Sequence, residues 1–219
     1  VTLAAAGTYT VTVTVNGCTS PTATVTVVVN PIPAAPVAGS NSPVCSGQTL
    51  NLTASTIVGA TYNWTGPNSF TSTLQNPSIP NVTVAASGTY TVTVTVGGCT
   101  SLPATVTVVV NPTPVAPTVG SNSPLCVGQT LNLTASTVVG ATYNWTGPNS
   151  FTSALQNPSI PNVTLAAAGT YTVTVTLNGC TSLPATVVVV VNPIPAAPVA
   201  GSNSPVCSGQ TLNLTASTI

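Results

Sequence analysis

The side chains in this chain that could take part in chemistry are six cysteines and five tyrosines, because Lys, Arg, Asp, Glu and His are all absent over 219 residues. General acid–base catalysis needs a group that titrates near working pH, and neither thiol nor phenol does so without a neighbouring charge. Calcium and magnesium sites are built from carboxylates, and zinc sites from His or clustered thiolates. Phosphate and nucleic-acid binding rest on basic side chains. The composition therefore points away from catalytic, cofactor, metal and nucleic-acid functions.

The cysteines are Cys18, Cys45, Cys99, Cys126, Cys180 and Cys207, with gaps alternating between 27 (45 − 18) and 54 (99 − 45). No CxxC pair occurs and no cation stands nearby to depress a thiol pKa, so structural disulfides in an oxidising compartment are expected. Which cysteines pair depends on the elements that carry them.

Those elements repeat. VTLAAAGTYTVTVTVNGCTS from Val1 returns as VTVAASGTYTVTVTVGGCTS from Val82 and as VTLAAAGTYTVTVTLNGCTS from Val163, a period of 81 residues both times (82 − 1 and 163 − 82). Solenoid repeats of about 20–45 residues cannot fold alone, whereas this period is long enough for a domain. The densest proline clusters, Asn30 to Pro36, Asn111 to Pro117 and Asn192 to Pro198, read as semi-rigid linkers. Cutting there gives complete repeats at 31–111 and 112–192, the end of one repeat at 1–30 and the beginning of another at 193–219. With no Met, the chain is expected to be an interior stretch of a longer polypeptide, without a signal peptide.

Within a repeat, Gly88 to Val96 alternates Thr with Val, the pattern of a half-buried strand. Tyr90, Val92, Val94 and Val96 are expected to face the core, with Thr89, Thr91, Thr93 and Thr95 facing water. Gly97-Gly98 suits a two-residue hairpin turn, and Ala104, Val106, Val108 and Val110 mark the returning strand. Leu50, Leu52 and Ala54 form another apolar face, and Tyr62 and Trp64 share a third. About seven short strands between Gly, Pro and Asn turns predict an all-β fold of tandem immunoglobulin-like Greek-key sandwiches joined by proline-rich linkers. The longest apolar run, Val187 to Val191, is far short of the roughly 20 residues a membrane-spanning helix needs.

Two pairings respect the repeat: within a domain, or across a linker as Cys99–Cys126. The second must cross two strands of about 26 Å each and a stiff linker, against the ~7 Å limit between Cα atoms of a cystine. If the end of the first strand lies beside the start of the last, Cys45 meets Cys99 and Cys126 meets Cys180. The expectation is therefore Cys45–Cys99 and Cys126–Cys180, with Cys18 and Cys207 paired outside the segment.

The runs Cys45 to Ala54 (CSGQTLNLTA), Ala60 to Phe70 (ATYNWTGPNSF) and Ala86 to Val94 (ASGTYTVTV) together resemble the Ig-like and PKD-like repeats of giant secreted surface proteins of Bacteroidota. That resemblance covers the whole chain. It implies export through the type IX secretion system and a place in cell-surface or released filaments and adhesins. Trp64 and Trp145 are expected in the core beside the disulfide, and Tyr90 and Tyr171 as tyrosine corners. The expected role is an extracellular, non-catalytic shaft or spacer. Its alternative is an adhesion module holding a carbohydrate or surface ligand on loops such as Gly66 to Phe70. Thr8, Thr10, Thr12 and Thr14 would also offer an ice-binding face, though Thr on an outward strand face is ordinary β-propensity. Zero net charge favours self-association into homomeric multi-chain fibres.

Overall fold

The computed structural model describes residues 1–218 of the chain. By compactness the chain divides into two units, Val1–Thr113 and Pro114–Ile219. The first unit opens with a short segment: β1 (Gly7–Val11), β2 (Thr14–Val15), β3 (Cys18–Thr19) and β4 (Ala23–Val27). Strand β1 pairs antiparallel with β4.

A sandwich follows, made of β5 (Ala38–Ser40), β6 (Val44–Cys45), β7 (Leu50–Ala54), β8 (Thr61–Gly66), β9 (Phe70–Ser72), β10 (Ser78–Ile79), β11 (Gly88–Val96), β12 (Cys99–Thr100), β13 (Ala104–Val108) and β14 (Val110–Asn111). One sheet has the order β10-β7-β5. In the other, β11 is central, with β8 and then β9 on one side and β12 and β13 on the other. The inward residues of both sheets, Leu50 and Leu52 against Trp64, Tyr90, Val92 and Val94, form one buried cluster. Every second residue of β7 is buried, as are Tyr90, Val92 and Val94 of β11, as the period-2 sequence demands.

Two details depart from the alternation read in the sequence. Val96 is half-buried rather than buried, because it ends β11 next to the hairpin. Thr91, Thr93 and Thr95 are also half-buried, being flanked by neighbouring strands. The returning strand is broken in two. At Val109 the backbone leaves β11: its N–H donates to Ser42 Oγ at 2.8 Å and its carbonyl accepts from Val44 N at 3.1 Å. Val110 and Asn111 then pair in parallel with Val44 and Cys45.

The second unit repeats this order in β15 (Val119–Ser121), β16 (Leu125–Cys126), β17 (Leu131–Ala135), β18 (Thr142–Gly147), β19 (Phe151–Ser153), β20 (Ser159–Ile160), β21 (Gly169–Leu177), β22 (Cys180–Thr181), β23 (Ala185–Val189) and β24 (Val191–Asn192). It ends in β25 (Ala200–Ser202) paired with β26 (Leu214–Ala216). Its core holds Trp145, Tyr171 and Leu131 at the positions of Trp64, Tyr90 and Leu50. The architecture is all-β, two immunoglobulin-like sandwiches with no α-helix among the described residues.

Without ion pairs, the polar contacts that tie strands together run from Ser, Asn, Gln and Tyr side chains to backbone. Gln75 accepts the Trp64 indole N–H on its carbonyl at 3.2 Å and donates its amide to Ala54 O at 2.8 Å. Asn41 accepts from Asn51 N and donates to Thr49 O. Among the described residues no buried side-chain polar atom lacks a partner, which an uncharged core requires because each orphan costs about 1–3 kcal/mol.

Candidate functional site

The tyrosine expected at a corner makes one. Tyr90 OH donates to Ala86 O at 3.0 Å and Tyr171 OH to Ala167 O at 3.0 Å. The ring of Tyr90 meets Phe70 edge-on at 5.6 Å and lies against Gly66, leaving no room there for a Cβ. Burial pushes the Tyr90 and Tyr171 hydroxyls above the usual phenol range, since the charged form would lose its water. These phenols are structural.

The Gly66 to Phe70 loop, the alternative binding surface, is built into that corner. Phe70 packs on Tyr90, and Pro67 stands so close to Gly88 that a Cβ there would lie 2.9 Å from it. Asn68 and Ser69 hold φ of 55° and 57° and stay exposed at the tip, where only a short amide and a hydroxyl are on offer. A recess of about 250 Å³ lies on β1 and β4, lined by Tyr9, Val11 and Val25 among others. Tyr9 is 51% exposed there, where its counterpart Tyr90, covered by a second sheet, is 1% exposed.

The cysteines do not pair as the sequence led us to expect. Cys45 and Cys180 are disulfide-bonded, while Cys18, Cys99, Cys126 and Cys207 are free thiols. Neither Cys45–Cys99 nor Cys126–Cys180 is formed. The reason lies in the first sandwich itself. Cys45 stands opposite Asn111, and the adjacent Val110 N–H donates to Ser87 Oγ at 2.9 Å, beside the first residue of β11. Cys99 stands opposite Val96, the last residue of β11. A nine-residue strand at about 3.3 Å per residue separates the two by roughly 26 Å, far beyond a cystine's reach. The end of the first strand does not lie beside the start of the last; the chain passes from β5 to β6 at the other end. Trp64 is fully buried, yet its core cluster contains no cysteine. Among the described residues no group of metal-ligating side chains comes together, and no helix is long and apolar enough to cross a membrane.

The hairpin carrying Cys99 has one contact that no sequence signal announced. Asn30, from the linker ahead of the sandwich, donates its side-chain amide to Gly97 O at 2.8 Å and accepts the Cys99 thiol on its backbone carbonyl at 3.5 Å. Gly97 has φ 54°, a left-handed conformation that asparagine adopts at the same position of the other repeats (Asn16 φ 49°, Asn178 φ 50°), and a Cβ at Gly97 would sit 3.0 Å from the Asn30 amide.

Residues 33–108 match the family described as immunoglobulin domain, and residues 114–193 match the Ig-like domain described as CHU_C associated. No curated protein matches the sequence. Among solved structures, the chain is similar to one from a mouse coronavirus receptor-binding domain complexed with its murine receptor, at 15% identity over 72% of this chain and 100% of that one, TM-score 0.46. It is also similar to the N-terminal eight Ig domains of Down Syndrome Cell Adhesion Molecule, at 16% identity over 91% of this chain and 28% of that one, TM-score 0.48. The chain thus carries two immunoglobulin-like domains in tandem, the second of the CHU_C-associated type.

Proposed function

We propose that this chain is a load-bearing shaft of an extracellular repetitive fibre or adhesin and performs no catalysis. The observation that carries the reading is the recurrence of whole sandwiches at one 81-residue spacing with identical internal ties. Trp64 to Gln75 and Trp145 to Gln156 are both 3.2 Å, and Tyr90 to Ala86 and Tyr171 to Ala167 are both 3.0 Å. The side chains of Tyr90, Tyr171, Gln75 and Gln156 are engaged in holding the fold, and the linkers are stiffened by proline. Repeats 31–111 and 112–192 are the units of the shaft, and Cys18 and Cys207 find partners in adjoining repeats. The resemblance to Bacteroidota surface proteins supports secretion by the type IX route and a place at the cell surface.

The shaft assembles from several copies of the chain side by side. Nothing repels them, because no side chain is charged at neutral pH. Exposed apolar residues recur at the repeat spacing, Leu102 with Leu183 and Val58 with Val139. Rows of threonine cover the outer face of the β8–β11–β13 sheet, Thr91 standing beside Thr65 and Thr105. Charged guards of edge strands are missing, leaving prolines such as Pro21, Pro103 and Pro184. Parallel chains in register would match contacts along their length. Mass per length of native fibres tests this reading: several chains per repeat length supports it. A single chain per repeat length, unchanged on concentration at low salt, refutes lateral assembly.

A further inference from the structure

Resting on the lateral assembly proposed above, we infer that one copy of the chain meets the next through the threonine surface of the sheet centred on β11, packed against the same surface of the second copy. Each unit carries its own such surface, and a single one is too small to hold two copies together.

The registers lay this surface out in rows. Thr71 stands opposite Thr65, Thr65 opposite Thr91, and Thr91 opposite Thr105. Directly opposed residues share one side of a sheet, so these four make a single row with about 4.8 Å from strand to strand. Two residues along, Asn63 stands opposite Thr93, and two further again Thr61 stands opposite Thr95. Strand β11 sets about 6.7 Å between rows. In the second unit Thr152, Thr146, Thr172 and Thr186 form the same long row.

The hydroxyls of this surface are not spent on the fold. Among the described residues, the side chains of Thr65, Thr71, Thr91, Thr93 and Thr105 make no hydrogen bond within the chain, and Thr95 and Thr100 bond side chain to side chain at 3.0 Å. The outer face of the opposite sheet differs. There Asn51 Oδ1 accepts Ser78 Oγ–H at 2.8 Å, and Asn41 spans Asn51 N–H and the Thr49 carbonyl. One face is tied up in tethers; the other is left with its donors and acceptors open.

A second copy fits this surface for three reasons. A hydroxyl both donates and accepts, so a field of hydroxyls is complementary to itself, and two identical sheets have identical row spacings. No charge has to be stripped of water, because the chain carries none on its side chains. Threonine is also short and stiff at χ1, which lets two twisted sheets approach to about 10 Å in the aligned packing of sandwiches. Area sets the requirement for more than one repeat. At about 3.3 Å per residue and 4.8 Å between strands, the surface of one unit covers roughly 400 Å². A stable interface takes about 800 Å² from each partner. One surface falls short, and two reach it.

Sedimentation velocity of the full 219-residue chain, with the free thiols Cys18, Cys99, Cys126 and Cys207 alkylated, tests the interface. T65K/T146K puts a charge in the long row of both units. T53K/T134K puts the same charge on the outer face of the opposite sheets, where both threonines are exposed. The unaltered chain and T53K/T134K should associate with rising concentration, while T65K/T146K sediments as a monomer with an unchanged melting temperature. T65K or T146K alone, leaving one surface intact, should weaken association about 100-fold. T65E/T146E serves if T65K/T146K fails to fold, with the same loss expected. Where both fold, mixing them should restore association, because unlike charges then meet across the interface. If the unaltered chain and all double variants associate alike, or if mixing restores nothing, this interface is overturned while lateral assembly stands. An unaltered chain that stays monomeric overturns both. Thermal hysteresis in that monomer, lost in T65K/T146K, would give the surface to ice instead.

Discussion

Replacing Gly66 with Ala should unfold the first sandwich well before the second. The added methyl carbon would stand 2.4 Å from Cδ1 and 2.5 Å from Cε1 of Tyr90, distances that real side chains do not reach. The backbone offers no separate objection, because Gly66 has φ −172°, an extended conformation open to any residue. The cost is therefore steric, and the ring has little freedom to give way. It is 1% exposed, its hydroxyl is held by Ala86 O, and it packs in a T-shaped pair with Phe70. Overpacking a tight core costs about 1–3 kcal/mol, and dragging the ring off its hydrogen bond adds about 1 kcal/mol. A loss of about 3 kcal/mol lowers the melting temperature of a domain this size by roughly 15 °C. Calorimetry of the reduced chain should show one transition displaced by that amount while the transition of the repeat containing Gly147 stays put. Tyr90→Phe, which keeps the ring and loses only the hydroxyl, should cost about 1 kcal/mol. If Gly66→Ala moves no transition by more than about 0.5 kcal/mol, the packing described for the corner is wrong.

Ser101→Ala should cost about 2 kcal/mol, because Ser101 Oγ is the acceptor for the buried Val94 N–H at 3.1 Å and its loss leaves that donor unpaired; urea unfolding measures it. Burial raises the Tyr90 and Tyr171 pKa values above the ordinary 10.0, so the stability tied to the neutral phenol is complete below about pH 10. It is lost as pH rises from there through the folded-state value. Melting temperature should thus be flat from about pH 3 to 8, indifferent to moderate salt, and should fall in alkali; a shift of tens of degrees between pH 4 and 7 contradicts this. Pulled from its ends after reduction, the chain should give two equal lengthening steps of about 250 Å, from some 80 residues at about 3.6 Å each less the folded length.

What the sequence disclosed was whatever depends on local period. The alternation of β11, the 81-residue spacing and the Ser-Gly-Thr-Tyr corner are carried by neighbouring residues, so strand, repeat and hydroxyl bond could be read directly. The cysteine pairing could not, because it turns on which end of the sandwich receives residues 41–45, and a single Ser42 to Val109 clamp decides that across 67 positions. Likewise Gln75, Asn41 and Ser101 look like surface residues in a polar loop. Their role as tethers emerges only when the strands they bridge are brought together, in a chain with no charges to do so. The part played by Asn30 was hidden for the same reason, since a linker asparagine gives no sign of the turn it will meet.

The central claim is that these repeats form the length of a fibre. Electron microscopy of native fibres labelled with a monovalent binder raised against residues 31–192 tests it most directly. Decoration along the whole shaft, at even intervals of about one strand length plus linker, near 40 Å, is the predicted result. Label confined to a tip, or absent from every extracellular structure, would contradict it.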